Sequence, residues 1–215
     1  MNEEGVIKFT LIHHSRPSER HPFMHELGAR RTILRIRQLI GSDANGQGYG
    51  NLSARISPKE FLITGTQTGH LETLAVEHYA TVTSYDLARN TVHSYGATKP
   101  SSETLTHAAL YDIDPSIGAV FHVHSTTIWH AANALALSTT PPDVPYGTPA
   151  MARAIASAHQ RTRTGDPHAI IMAGHQDGII AYGRDTRETS DTLLTLLSRA
   201  TEWQQRNTPA AHTPA

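Results

Sequence analysis

The sequence predicts a single α/β domain: a largely antiparallel sheet covered by helices. Three observations point there. Segments with helical apolar spacing are interleaved with short runs rich in β-branched and aromatic residues. Three of the strand-to-strand links are too short to hold a crossover helix, so those strands read as antiparallel pairs. A chain of 215 residues is also long enough to bury a sizeable core in one α/β domain.

The first strong element spans residues 21–40, where Leu27, Ile33, Leu34, Ile36 and Leu39 make an apolar helical face with arginines on the other side. The stretch GSDANGQGYG that follows is turn-rich and reads as loop. Leu52 to Ile56 alternates as a short strand does, FLITG (61–65) reads as a more buried strand, and 79–85 as a further one. A helix is expected from Ser101 to Tyr111, with Pro100 before it, Ser101 and Ser102 as candidate caps and Glu103 in the first turn. AVFHVHS (119–125) is a strand and TTIWHAANALAL (126–137) a helix; PPDVPYG (141–147) is loop. A helix over 148–162 has Thr148 as its cap candidate. The strands 168–174 and 178–183 flank a turn at HQD, and the last helix runs from about Asp185 to Gln205. The expected organisation is an N-terminal extension (1–24), one domain (25–205) and a frayed tail (206–215) whose NTPAAHTPA is small and polar.

Composition narrows the chemistry. A formal net charge of −1 argues against a general nucleic-acid binder, which needs a basic footprint. No apolar run approaches the ~20 residues of a membrane span, and the start lacks the pattern of a signal peptide, so a cytoplasmic protein is expected. With no cysteine, disulfides, thiolate metal sites and cysteine nucleophiles are excluded. The chain instead has 15 histidines, leaving imidazole and carboxylate as its strong metal ligands.

Most of those histidines sit near polar segments or element ends and read as solvated or locally hydrogen-bonded. His107 follows Glu103 by one helical turn, a spacing that is usually structural. His122 and His124 differ. On a strand, residues i and i+2 share a face, so two imidazoles emerge side by side from an apolar run. Burying both is costly unless they are paired or hold a cation. His175, at a Gly-flanked turn after an apolar strand, is the best third ligand; three imidazoles with an open position make a catalytic rather than a closed structural site. Glu103 is the carboxylate expected nearby, at a helix start whose N–H groups and serine hydroxyls suit an anion. Asn51 and the TGTQTG loop add short donors. Neither a GxxxxGK[ST] loop nor a GxGxxG strand-to-helix turn is present, so the nucleotide readings fail.

Together GNLSAR (50–55), FLITGTQTG (61–69), KPSSETLTHAALY (99–111), GAVFHVHS (118–125), PYGTPA (145–150) and GHQDGIIAYG (174–183) resemble, in this order, the class II aldolase/adducin domains. The resemblance covers about residues 25 to 200. It implies a three-layer α/β/α sandwich, usually a homotetramer with active sites between subunits, acting on a sugar-phosphate-like small molecule without nucleic acid or membrane. It implies one divalent metal per subunit, most often Zn2+, with Mn2+, Co2+ or Fe2+ as other candidates, on His122, His124 and His175. Glu103 matches the glutamate that ligates the resting metal or acts as acid/base. Asn51, Ser101, Ser102 and a Thr-Gly pair match the phosphate site; Thr64-Gly65 competes for that pair with the favoured Thr68-Gly69. The implied reaction is reversible aldol cleavage of a ketose 1-phosphate through a metal-stabilised enediolate, as in fuculose-phosphate aldolases. A glutamate after PSS leans towards aldolase and away from pentulose-phosphate 4-epimerases.

Three departures qualify the match. The stretch between His124 and His175 is short where those aldolases carry a proton-donating tyrosine, and Tyr146 is not at the matching place. Gln176 replaces the usual glycine after the third ligand. The segment IKFTLIHHSRPSERH has no counterpart. The competing readings are a methylthioribulose-1-phosphate dehydratase, which needs no such tyrosine, a non-catalytic adducin-like assembly module, and a redox-active iron site on the same histidines.

Overall fold

The computed structural model describes residues 6–162 and 167–207. From residue 208 on, the expected tail lies outside the described residues. Strands Thr10–Ser15 (β1), Gly41–Ser42 (β2), Gly48–Tyr49 (β3), Asn51–Ser57 (β4), Glu60–Thr64 (β5), Tyr79–Asp86 (β6) and Thr91–Gly96 (β7) fill the first half around helix Pro22–Ile36 (α1). The second half contains helices Thr104–Ile113 (α2), Thr126–His130 (α3), Pro149–Arg161 (α4) and Thr186–Asn207 (α5). Between them lie strands Ala119–His124 (β8), Ser138–Thr139 (β9), Ala169–Ile171 (β10) and Gly178–Gly183 (β11).

Among the described residues, nine strands form one sheet in the order β1-β7-β6-β5-β4-β8-β11-β10-β9. The sheet is mixed. Its outermost pairings, β1 with β7 and β10 with β9, are parallel; those between are antiparallel. The remaining two strands, β2 and β3, make a small ladder inside the stretch expected to be loop.

Strand alternation sends side chains into two buried clusters. Leu52, Ala54, Phe121, Val123, Ile179 and Ala181 meet Leu27 and Leu34 of α1, Ile128 of α3 and Leu193 and Leu196 of α5. Phe61, Ile63, Val82, Val120 and Ile180 meet Leu105 and Ala108 of α2 and Met151 and Ile155 of α4. Burial on both faces explains why β8 and β11 read as near-continuous apolar runs. It also places the even-numbered residues of β8, including His122 and His124, on the α2 face.

The differences from expectation have physical causes. Helix α1 stops at Ile36 because Gln38 takes a left-handed backbone (φ 58°) and Leu39 N–H turns back to Leu34 O at 2.9 Å. Leu39 and Ile40 then enter the core instead of continuing the helix. No glycine marks that stop, so the sequence hides it. Helix α2 starts at Thr104, with Glu103 in the cap position; Ser101 does not cap the helix but accepts Glu103 N–H at 3.2 Å. Helix α3 is one short piece, after which turns carry Leu135 and Leu137 into the core. In α4 the expected cap holds: Thr148 Oγ1 accepts Met151 N–H at 3.2 Å. Strand β7 escapes sequence reading because Val92 is the one large apolar residue on its buried side, beside Ser94 and Gly96. Strand β1, within the segment expected to be an extension, pairs with it at the sheet edge.

Candidate metal centre

The centre begins on β8. His122 is fully buried, and its Nδ1 lies 3.2 Å from Ile179 O on neighbouring β11. That carbonyl takes the Nδ1 proton and leaves the Nε2 lone pair pointing inward. Burial, reinforced by His175, His124 and His107, holds His122 well below the ordinary histidine range, so the ring is neutral. His124 follows on the same face, its backbone N–H bonded to Leu39 O at 3.0 Å just past the α1 reversal. The two Nε2 atoms stand 3.1 Å apart.

His175 arrives from a turn rather than a strand. Its N–H bonds Met172 O at 2.8 Å and its carbonyl accepts Gly178 N–H at 2.9 Å. One ligand atom from each of the three histidines lies within 4.8 Å of the others. Nitrogens on one tetrahedral ion at ~2.0–2.1 Å stand about 3.4 Å apart, so the cluster is at the scale of a three-histidine metal site. At 3.1 Å the two Nε2 atoms share a hydrogen bond when His124 carries its proton there, and once that proton is gone both lone pairs face the position a cation would take. The donor set therefore fits a divalent ion.

Gly178 makes room for this. It lies opposite His124 in the β8–β11 register. A Cβ there would come within 2.9 Å of His175 O, 3.1 Å of His175 Cγ and 3.2 Å of His122 Cε1.

Glu103, only 1% exposed, places Oε1 3.7 Å from His175 Nδ1. Its Oε2 accepts the Thr106 hydroxyl at 2.7 Å, which fixes the carboxylate's orientation from its own helix. One turn further along α2, His107 is fully buried and bonds Ser53 Oγ through Nδ1 at 2.7 Å. Burial pushes it down to about 3, as a structural neutral histidine.

Beside the centre, Asn51, Thr68, Gly69, Ser101 and Ser102 line one small polar pocket with Gly65. The structure brings together all five residues expected there. Asn51 is paired in register with His122, so pocket and histidines are one β4–β8 step apart. Its buried Oδ1 has no hydrogen-bond partner among the described residues. Thr64 is drawn elsewhere, its Oγ1 accepting Leu52 N–H at 3.1 Å, so Thr68-Gly69 is the pair at the pocket. Gly69 has to be glycine: a Cβ would meet Gly41 O at 2.4 Å and Tyr49 O at 2.6 Å. On the other side His124 and His175 line an open cleft of about 800 Å³ with Arg37, Tyr49, Gln176 and Asp177.

Sequence reasoning missed three contributors. The arginines of α1 were expected on its polar side, but Arg31 is 2% exposed, on the stripe of Leu27 and Leu34. It donates to the carbonyls of Thr68 (2.8 Å), Gly69 (3.1 Å), Leu71 (2.6 Å) and Glu72 (3.2 Å), tying down the loop that carries the pocket. Burial lowers it to about 10. An arginine three and four residues from leucines on a helix was the available signal. Gly178 is the second. Tyr146, the third, stacks on His175 with ring centroids 4.3 Å apart.

A family model, the Class II Aldolase and Adducin N-terminal domain, matches residues 33–204. L-ribulose-5-phosphate 4-epimerase from Salmonella paratyphi C is 35% identical over 159 residues, 65% of this chain and 68% of that protein. Methylthioribulose-1-phosphate dehydratase from Pseudomonas fluorescens is 39% identical over 89 residues, 41% of this chain and 40% of that one. Among solved structures, L-fuculose-1-phosphate aldolase from Thermus thermophilus superposes with TM-score 0.67 at 19% identity, covering 91% of this chain and all of that one. The histidine cluster, the helix-start glutamate and the family match agree: the chain belongs to the class II aldolase and adducin N-terminal domain family.

Proposed function

We propose that this protein is a metal-dependent lyase that reversibly cleaves a ketose 1-phosphate, on the three-layer, mainly antiparallel form of the fold. The observation carrying this is the adjacency of three groups: the histidine cluster, the Glu103 carboxylate at 3.7 Å from His175, and the polar pocket one strand step away. Family members use a divalent metal, and His122, His124 and His175 would hold it here, Zn2+ being the ion this donor set favours. When bound it supplies Lewis acidity to a substrate carbonyl.

The chain's own residues do the rest. Ser101 and Ser102, with Asn51 and the Thr68-Gly69 turn, hold a phosphate by short donors and backbone N–H groups. In the cleavage direction the hydroxyl two carbons from the carbonyl gives up its proton as the carbon–carbon bond beside it breaks, and Glu103, its second oxygen kept in place by Thr106, delivers a proton to the carbon next to the carbonyl. Tight burial of the carboxylate excludes competing water. Cleavage yields two carbonyl fragments, only one of them phosphorylated. Assembly as a homotetramer and a cytoplasmic location belong to this reading.

A second reading is a sugar-phosphate dehydratase, favoured by the local identity to methylthioribulose-1-phosphate dehydratase and by the short segment between His124 and His175. Incubating the metal-loaded protein with ketose 1-phosphates separates them. Two carbonyl fragments support the lyase, and loss of water supports the dehydratase. Turnover unaffected by His122→Ala would overturn both.

A further inference from the structure

His122 and His124 are fixed by β8 and its ladder, whereas His175 sits on a turn. Its ring meets Glu103 Oε1 at 3.7 Å from Nδ1 and an aromatic ring on its side. Tyr146 lies against it, centroids 4.3 Å apart and planes 25° from parallel. Over the Tyr146 ring stands the Lys8 ammonium, 4.2 Å from its centroid.

Lys8 comes from the segment that has no counterpart in the family resemblance, and that segment is anchored. Phe9 is buried in the cluster that contains Tyr146, Leu105 and Met151. Asn90 Nδ2 donates to Lys8 O at 2.9 Å, and Thr10 N–H to Asn90 O at 2.8 Å. The Lys8 stem packs near Gly147, where an added Cβ would stand 3.7 Å from Lys8 Cδ.

We infer that the N-terminal segment is part of the metal centre: Lys8 and Tyr146 form a cation–ring–imidazole column that positions His175 as a ligand. Both are positioning residues, acting through His175. A cation on one face of a phenol ring holds the ring against the imidazole on the other, restricting the turn-borne ligand to one plane. Restricting a ligand before binding removes ordering cost from the binding step, so metal affinity rises and metal loss slows.

The inference rests on the metal reading above, and the test keeps the two apart. Zn2+ affinity and the rate of Zn2+ loss to a chelator are measured on the full chain and on Lys8→Met, Lys8→Arg, Tyr146→Leu, the double variant and His122→Ala. Lys8→Met is expected to weaken Zn2+ binding about threefold, with Lys8→Arg restoring it. Tyr146→Leu is expected to weaken it about tenfold. The double variant should match Tyr146→Leu alone, since Lys8 acts through the ring. Wild-type affinity in Lys8→Met and Tyr146→Leu, with only a lowered unfolding temperature, would mean packing alone and overturn the column. Additive losses in the double variant would overturn it too. Partly exposed Lys8 keeps the test decisive if Tyr146→Leu does not fold. If His122→Ala binds Zn2+ as wild type does, the metal reading itself fails.

Discussion

The histidine cluster and the polar pocket beside it are built by opposite means. Two of the three histidines stand at i and i+2 of one central strand, so the period of a β-strand puts them on one face whatever surrounds them. The pocket gathers Asn51 from a strand start, Thr68 and Gly69 from a long loop, and Ser101 and Ser102 from the approach to α2. Its loop is held by two arginines of α1, the buried Arg31 on four carbonyls and Arg35 on those of Gly69 and His70. A site on a strand inherits its geometry from the sheet; a site on loops has to be clamped. Damage to the first should remove the metal, and damage to the second should spare the metal and weaken substrate binding.

The largest expected effect tests the strand-built side. His122→Ala should lower metal affinity and turnover by on the order of a thousandfold, because it removes a ligand held by two neighbouring strands. Metal content by mass spectrometry and the fragment assay read both.

Arg31→Met tests the clamp. Four carbonyls lose a charged donor, so stability should fall by about 3 kcal/mol in urea unfolding. KM for a phosphorylated substrate should rise strongly while bound metal per chain stays unchanged. Metal loss in this variant would erase the distinction between the two regions.

A pH titration sharpens it from within the core. His107 is pushed down to about 3 from an ordinary 6.5, so between those values the unfolded chain binds a proton that the folded chain does not. Stability of the metal-free protein should therefore fall as pH drops through that window, by roughly 1.4 kcal/mol per unit from this residue, and be flat in this term above it. His107→Gln should flatten the slope measured by urea unfolding between about pH 4 and 6, the middle of the window.

The smallest effects compare single atoms in each region. Gly178→Ala should weaken metal binding about tenfold by crowding His175 and His122. Ser102→Ala should raise KM for a phosphorylated substrate about tenfold and leave metal affinity alone, since it removes one hydroxyl from the pocket. Metal competition and steady-state kinetics on the two variants give the contrast directly.

Much of this was legible in the residues. His122, His124, His175 and Glu103 were named from spacing and position, the five pocket residues through the family resemblance, and the structure places them together. What stayed hidden acts across the chain. Arg31 shows its place on the leucine stripe of α1, but the loop carbonyls it clamps are distant in sequence and leave no local mark. Gly178 looks like a turn residue until the register sets it opposite His124. Strand β7 presents one large apolar side chain to the interior, too few for a period. The Lys8–Tyr146–His175 column joins residues far apart in sequence, with no short-range signal.

The sequence by itself determined the local facts: which residues share a strand face, where helix α4 begins, and that imidazole and carboxylate are the strong metal ligands a cysteine-free chain has. Those follow from backbone periods and side-chain chemistry, which act within a few residues. Only the tertiary structure decided that the sheet is parallel at both edges, that an arginine is buried in the α1 stripe, and that the N-terminal segment reaches the third ligand. Those depend on which distant segments become neighbours, and that is settled by burial and backbone pairing summed over the whole chain.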